Sequence, residues 1–322
     1  MKISLIFLAI FTCGYFQIHR QRNSSIPIQI FNCSFDQITT CQNSRVINRT
    51  FLYILWSRAG FASELNQLVL AFAYSISTKR RFVIDSRHWN YGRIEDYFHL
   101  PLINNDLRLN RTYLQENGAE NERIVHLKTT RFGSQLWRFW QATRHVQSMS
   151  IKRQVGHYLW KSISNQTFHF IQTHRIENLS IDLAIHIRRG DKFKETRAIP
   201  LEKYLTAIGR NRSSPKRIFV ASDDSTVVEQ LRQLKPRWKF VSLDDFYPRR
   251  RKILGHFQAN FNRLSREQKR NETRFLMCEL QILIDSPYVL CGMSSNICRL
   301  IQILRHQHPS TVISLDRSWH PR

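Results

Sequence analysis

The stretch Ile181-Asp182-Leu183-Ala184-Ile185-His186-Ile187-Arg188-Arg189-Gly190-Asp191-Lys192 decides how this chain is read. A short apolar run passes directly into two arginines, a glycine and an aspartate. A run of this length, ended by a turn signal, reads as a strand covered on both faces. The pattern returns at Ile218 to Ser222, Phe240 to Leu243, Tyr288 to Cys291 and Val312 to Leu315, with helix-length segments between. In one of those segments Ile297, Leu300, Ile301 and Leu304 recur at helical spacing. The alternation predicts a parallel sheet with helices on both faces, a Rossmann-like lobe over 179–322. In such sheets ligands bind beyond the carboxyl ends of the strands, so the residues just after each run carry the functional reading.

Upstream, Phe51 to Trp56 reads as a strand, and Leu65, Leu68, Val69, Phe72, Ala73 and Ile76 as one apolar face of a helix. Arg81 to Asp85 reads as a second strand, so a βαβ unit opens an N-terminal α/β lobe over 51–178. Within that lobe Trp137, Phe139, Trp140, Tyr158 and Trp160 are expected to be helical core. Tyr247 to Arg274, with Arg249, Arg250, Arg251, Lys252, Lys269 and Arg270, shows little periodicity. It is expected to be a long mobile loop, either facing an anionic ligand or simply solvated.

Lys and Arg number 49 against 24 Asp and Glu, a formal charge of +25, yet 42% of the 322 residues are hydrophobic. So much apolar material buries a core, which excludes a disordered polyelectrolyte. The excess charge points to an anionic partner or to a solvated basic surface. No zinc finger, helix-turn-helix or RNA-binding sheet pattern occurs. Nucleotide-sugar diphosphates, sulfated glycans and membrane headgroups are therefore preferred to nucleic acid.

Lys2 precedes an almost unbroken apolar run from Ile3 to Ile18, and His19, Arg20 and Arg22 follow it. Residues 1–18 are expected to be a signal anchor or a signal peptide, and the polar residues 19–50 a lumenal stem. Sequons at Asn23, Asn32, Asn48, Asn110, Asn165, Asn178, Asn211 and Asn271 agree with a lumenal chain. In an oxidising lumen Cys291 and Cys298 are expected to pair across a short loop, as could Cys33 and Cys41. Cys278 would stay a buried thiol. No Cys or His spacing resembles a zinc site.

After the strand that ends at Ile187, period-two geometry sets His186 and Arg188 on one side of the chain. Arg188 could grip a diphosphate through two parallel hydrogen bonds, and Gly190 would permit a tight turn that exposes backbone donors. A plain basic strand end fixed by Asp191 is the bland alternative. Asp223 and Asp224 follow the next strand and could hold a metal, bind sugar hydroxyls or cap a helix; capping accounts for one of them. Ser294 and Ser295 open a helix after the strand at Tyr288 to Cys291, as an anion cradle or an ordinary N-cap. Three candidate sites at three strand ends of one sheet are a weightier signal than any one alone.

His186 to Lys192, Phe219 to Asp224 and Leu290 to Arg299 resemble, in order and spacing, the α1,6-fucosyltransferases that use GDP-fucose. Gly60 to Tyr91 is similar to that family's N-terminal strand-helix-strand segment. The resemblance implies a GT-B-like fold and an inverting transfer of fucose to a glycan or glycoprotein acceptor, α1,6 to N-glycan core GlcNAc or a related sugar, with no metal. It gives Arg188 the β-phosphate, with Arg189 in support, and sets His186 beside the nucleotide. Glu279 would recognise guanine, Tyr91 would face the ribose, and Gly60, Ser294 and Ser295 would line the donor pocket. Glu195 would be the general base with Lys192 nearby, and Asp223 and Asp224 would support donor or acceptor. It further implies a type II Golgi membrane protein, with a second copy of the chain among its partners; a secreted protein is the alternative. Departures are Ala62 where the family has a glycine, and a spacing from Asp191 to Pro200 one residue shorter. The family's long N-terminal helical region and C-terminal SH3-like domain are also missing from this sequence. An α1,2- or protein O-fucosyltransferase, or an inactive secreted binder of anionic glycans, are the rival readings.

Overall fold

A computed structural model describes residues 50–55, 58–78, 80–100, 122–126, 149–176, 180–191, 197–211, 217–248, 255–305 and 311–316, all within one compact unit. The first sheet is parallel, in order β2-β1-β3, from β1 (Thr50–Leu55), β2 (Arg81–Asp85) and β3 (Glu122–His126). Helix α1 (Phe61–Ser77) joins β1 to β2, completing the expected βαβ unit. β3 was not foreseen, because Glu122-Arg123-Ile124-Val125-His126 holds only two adjacent apolar residues.

All five apolar runs of the C-terminal half are strands: β4 (Leu183–Ile187), β5 (Arg217–Ser222), β6 (Lys239–Val241), β7 (Val289–Cys291) and β8 (Val312–Ser314). They form one parallel sheet in order β6-β5-β4-β7-β8. Counted from β4 this is 3-2-1-4-5, the Rossmann order short of its last strand. The chain builds outward from β4 through β5 to β6, then returns to add β7 on the other side. The turns after β4 and β7 therefore flank the crevice where this topology binds ligands.

β4 is buried at every position, as its unbroken apolar run requires. Its odd residues Leu183, Ile185 and Ile187 pack with Leu201, Tyr204, Leu205 and Ile208 of α4 (Leu201–Asn211). Alternation then sends Ala184 and His186 to the opposite face. Helix α1 is buried without a gap from Leu68 through Ile76, not on a single face as expected. The first sheet covers one side, where Phe72 stacks on Phe82 at 4.8 Å, and α2 (Met149–Lys161) and α8 (Asn296–Leu304) cover the others. Tyr158 and Trp160 lie in α2 as expected, with Trp160 Nε1 donating to Gln281 at 2.8 Å; Trp137, Phe139 and Trp140 lie outside the described residues.

The expected loop at Tyr247 to Arg274 is corrected. The described part forms a short helix α6 (Gln258–Phe261) and the first turns of α7 (Arg266–Asp285). Ser265 accepts from Gln268 N at 3.2 Å while Gln268 Oε1 accepts from Ser265 N, a capping box that starts α7. No apolar stripe marks these turns because one face of α7 lines a cavity and is polar there. At the other end Arg305 donates to the carbonyls of Leu283, Ile284, Ser286 and Pro287, collecting the orphan acceptors of the helix terminus. Cys291 and Cys298 form a disulfide and Cys278 is a buried thiol outside any disulfide, as expected; Cys33 and Cys41 lie outside the described residues.

Candidate active site

A cavity of about 1040 Å³ opens beyond the carboxyl ends of the second sheet. Its walls include the start of α1 (Ala59 to Ser63), Tyr91, His186, Arg188, Asp191, Asp223, Gln258 and Ser295. Helix α7 faces it with Gln268, Asn271, Glu272, Phe275, Leu276 and Glu279, a stripe at three- and four-residue intervals. A smaller cavity of about 330 Å³ shares His186, Arg188 and Ser295 and adds Arg189, Arg197, Asp224 and Ser294.

Arg188 stands where β4 leaves the sheet, on the His186 side. Its guanidinium donates to Asp223 Oδ2 at 2.6 Å and to Asp191 Oδ1 at 2.7 Å, yet the side chain keeps 21% exposure, so a ligand can reach it. The carboxylates are themselves anchored. Asp223 accepts from Arg189 N at 2.7 Å and His256 N at 3.0 Å, and Asp191 accepts from Gln258 N at 2.8 Å. Two glycines let the strands of this clamp meet. Gly190 (φ +47°) and Gly255 (φ +82°) lie back to back, and a Cβ on Gly190 would overlap the His256 backbone. Gly190 does make the tight turn, but it does not expose the Asp191 N–H, which donates to His256 O at 3.0 Å. The turn is spent on fixing Arg188.

His186 is 4% exposed and its Nδ1 has no hydrogen-bond partner. Burial pushes its pKa down to about 4, Arg188 adds to that, and Asp223 opposes both. The ring at the cavity wall is therefore neutral at physiological pH, a hydrogen-bonding group and not a charge. Tyr91 lines the cavity with its hydroxyl committed: it donates to Ala59 O at 2.7 Å and accepts from Gln258 Nε2 at 3.2 Å. Burial raises its pKa well above the usual phenol range, so it stays protonated.

Helices α1, at Gly60, and α8, at Ser295, begin at the cavity, and neither N-cap residue makes a side-chain capping bond. Asn66 Nδ2 donates to Asn296 O at 2.9 Å, so the two starts are tied together. Helix N-termini carry partial positive charge and outward N–H groups, and with Arg188 they make a cradle for a polyanion.

Of the residues expected in the site, Gly60, Tyr91, His186, Arg188, Asp223, Glu279 and Ser295 meet at the large cavity; Arg189, Asp224 and Ser294 face the smaller one. Arg189 donates to Ile199 O at 3.0 Å. Asp224 accepts from Thr226 N at 3.0 Å and Thr226 Oγ1 at 2.7 Å, capping α5 (Thr226–Leu234). Glu195 and Lys192 lie outside the described residues. Sequence reasoning passed over His256, Gln258 and every member of the α7 stripe except Glu279. A lone glycine at Gly255, before residues that must close on Gly190, was the available signal. Among the described residues no three metal-ligating side chains gather.

A parallel 3-2-1-4-5 sheet with its cavity beyond β4 and β7, beside a second α/β sheet, is the GT-B-like architecture of fucosyltransferases. A structure of Arabidopsis thaliana FUT1, a mutant in complex with GDP, shares this fold at TM-score 0.50 and 11% identity, over 93% of this chain and 78% of that one. The fucosyltransferase NodZ from Bradyrhizobium aligns at TM-score 0.46 and 14% identity, over 79% of this chain and 93% of that one. In sequence the chain is 23% identical over 298 residues to the α-(1,6)-fucosyltransferase of Drosophila melanogaster, covering 84% of this chain and 45% of the fly protein. The chain thus spans less than half the length of that relative. No family model matches. The motif resemblance is borne out: the chain is similar in sequence to an α-(1,6)-fucosyltransferase and shares the fold of fucosyltransferase structures.

Proposed function

We propose that the chain transfers fucose from GDP-fucose to a glycan acceptor, with inversion at the anomeric carbon. The observation that carries this reading is the convergence of a clamped Arg188 and two uncapped helix starts on one cavity at the sheet's crevice. That arrangement suits a leaving diphosphate. As the acceptor oxygen attacks the anomeric carbon and the bond to the β-phosphate oxygen breaks, negative charge grows on the phosphate. Arg188 and the helix starts meet it already oriented, without reorganisation. Asp223 and Asp191 are positioning groups, since their oxygens hold Arg188 and the backbone around it. The acceptor proton needs a base, a role we assign to Glu195 on the resemblance alone.

The finer assignments follow the fly relative's name and the N-terminal sequence. We assign the linkage as α1,6 to a GlcNAc-containing acceptor such as the N-glycan core. The setting is a Golgi lumen, with residues 1–18 as a type II anchor. A transfer reaction with labelled GDP-fucose on a glycan array, followed by linkage analysis, tests both donor and acceptor. Transfer only from another nucleotide sugar would overturn the donor; a different linkage would overturn the acceptor. Glu195→Gln should keep GDP binding and lower transfer by about 10² to 10⁴-fold, as loss of a general base does.

A further inference from the structure

Three large hydrophobic side chains among the described residues stand in solvent: Phe168 at 54%, Phe246 at 49% and Leu234 at 46% exposure. Of these, Phe246 alone lines the large cavity. We propose that Phe246 is the shelf on which the donor's nucleobase stacks. The proposal rests on the nucleotide-sugar reading above and deepens it.

The ring is presented on a fixed turn. After β6 a single 3₁₀ turn, Leu243–Asp245, is closed by Ser242 N donating to Asp245 Oδ2 at 2.8 Å, and the same carboxylate takes Arg232 at 2.7 Å. Phe246 N and Tyr247 N both donate to Leu243 O, at 3.1 and 2.9 Å. Tyr247 is packed, with its ring 5.4 Å from Phe275 and 4.9 Å from His174. Its neighbour is left bare on the cavity wall. A rigid, exposed aromatic beside a packed one is a contact surface, because holding it still in water gains nothing until something covers it.

Position selects what covers it. β6 lies two strands from β4 in the sheet order, and neighbouring strands are about 4.8 Å apart, so the turn after β6 is about 10 Å from the turn bearing Arg188. That is one ribose away from a diphosphate gripped at Arg188. The transferred sugar is bonded to the β-phosphate, so sugar and acceptor belong at the Arg188 end and the base at the far end. A base also has what this wall matches. Its face suits the Phe246 ring, and its edge donors can reach the α7 stripe, where Glu279 lies one turn beyond Phe275.

The test compares GDP with inorganic pyrophosphate by calorimetry on wild type, Phe246→Ala and Phe246→Trp. Phe246→Ala should weaken GDP binding by about 5- to 150-fold, the range for losing one stacked base, and leave pyrophosphate binding unchanged. Phe246→Trp should restore GDP binding. Because the side chain is half exposed, the thermal midpoint of Phe246→Ala should match wild type, which separates stacking from unfolding. Unchanged GDP affinity in Phe246→Ala overturns the proposal. So does a rise confined to the acceptor KM, which would give the ring to the acceptor. If the wild type binds pyrophosphate but not GDP, or neither, the nucleotide-sugar reading fails first and takes this inference with it.

Discussion

Helices α1 and α8, whose starts face the large cavity, begin differently from α3 (Asn165–Thr173) and α7. α3 and α7 are closed by their own serines: Ser164 Oγ accepts from Thr167 N at 3.3 Å, and Ser265 Oγ from Gln268 N at 3.2 Å. α1 begins at Gly60, which has no side chain to offer, and α8 at Ser295, whose side chain makes no capping bond. An absent cap costs from a few tenths of a kcal/mol, for a glycine such as Gly60, to about 1 kcal/mol, a concession made where a ligand can supply the missing acceptor. The two uncapped starts are the ones placed to meet an anion; α7, self-capped, meets the cavity with its side chains instead.

The largest expected effect separates the helix starts from the arginine between them. Arg188→Ala removes the cation held by Asp191 and Asp223, and on the proposed reading its two charge-assisted hydrogen bonds to the diphosphate, leaving those carboxylates facing the same anion. Each such bond is worth about 1.5 to 3 kcal/mol, so GDP affinity should fall by about 10² to 10⁴-fold, and transfer with it. Titration of GDP into wild type and variant decides. If the variant binds GDP as wild type does, the helix starts suffice and the clamp serves only the fold.

How much of this was legible depended on whether burial and function asked for the same residues. β4, β5 and β7 could be read because central parallel strands are covered on both faces and must be largely apolar. The edge strands β6 and β8, only partly buried, still keep a short apolar run before a turn. Arg188, Asp223 and Ser295 were legible for the same reason, standing at strand ends the apolar runs had located. α7 was not, because its cavity face replaces apolar residues with Gln268, Asn271, Glu272 and Glu279, which erases the helical period. The roles inside the clamp were hidden too. Only the fold brings Gly255 against Gly190, and so turns the Asp191 N–H inward instead of toward a ligand.

His186 offers the next largest effect. Its pKa in the folded chain, about 4, lies below the ordinary histidine value. Between the two values the unfolded chain takes up a proton that the folded chain refuses. Its contribution is therefore full above about pH 6.5 and is lost as pH falls toward 4, by about 3 kcal/mol in all. Denaturant unfolding of wild type and His186→Gln across that range should show wild type losing stability relative to the variant as pH falls. Parallel curves would mean that the imidazole is not buried neutral. A bound GDP that hydrogen-bonds Nδ1 should leave the direction of the trend unchanged.

The smallest effects test the contrast between helix starts most directly, because one substitution should move stability alone and another should move stability and binding in opposite senses. Ser164→Ala removes a self-cap remote from the large cavity's lining. It should cost about 1 kcal/mol of unfolding free energy and leave GDP affinity unchanged. Gly60→Asp supplies a cap where none exists. Gly60 is already extended at φ −64° and ψ 145°, and an added Cβ would meet nothing closer than Gln258 Oε1 at 3.6 Å, an ordinary contact. The new carboxylate should close α1 and raise stability by a few tenths to about 1 kcal/mol. It would also occupy the place argued to receive phosphate, and like charges a few ångströms apart repel by several kcal/mol at an effective dielectric near 20, so GDP affinity should fall at least about tenfold. Unfolding curves and GDP titrations on both variants complete the test. A Gly60→Asp protein that is more stable and still binds GDP as wild type does would show that α1 starts at the cavity without being part of the cradle, leaving α8 and Arg188 to hold the diphosphate alone.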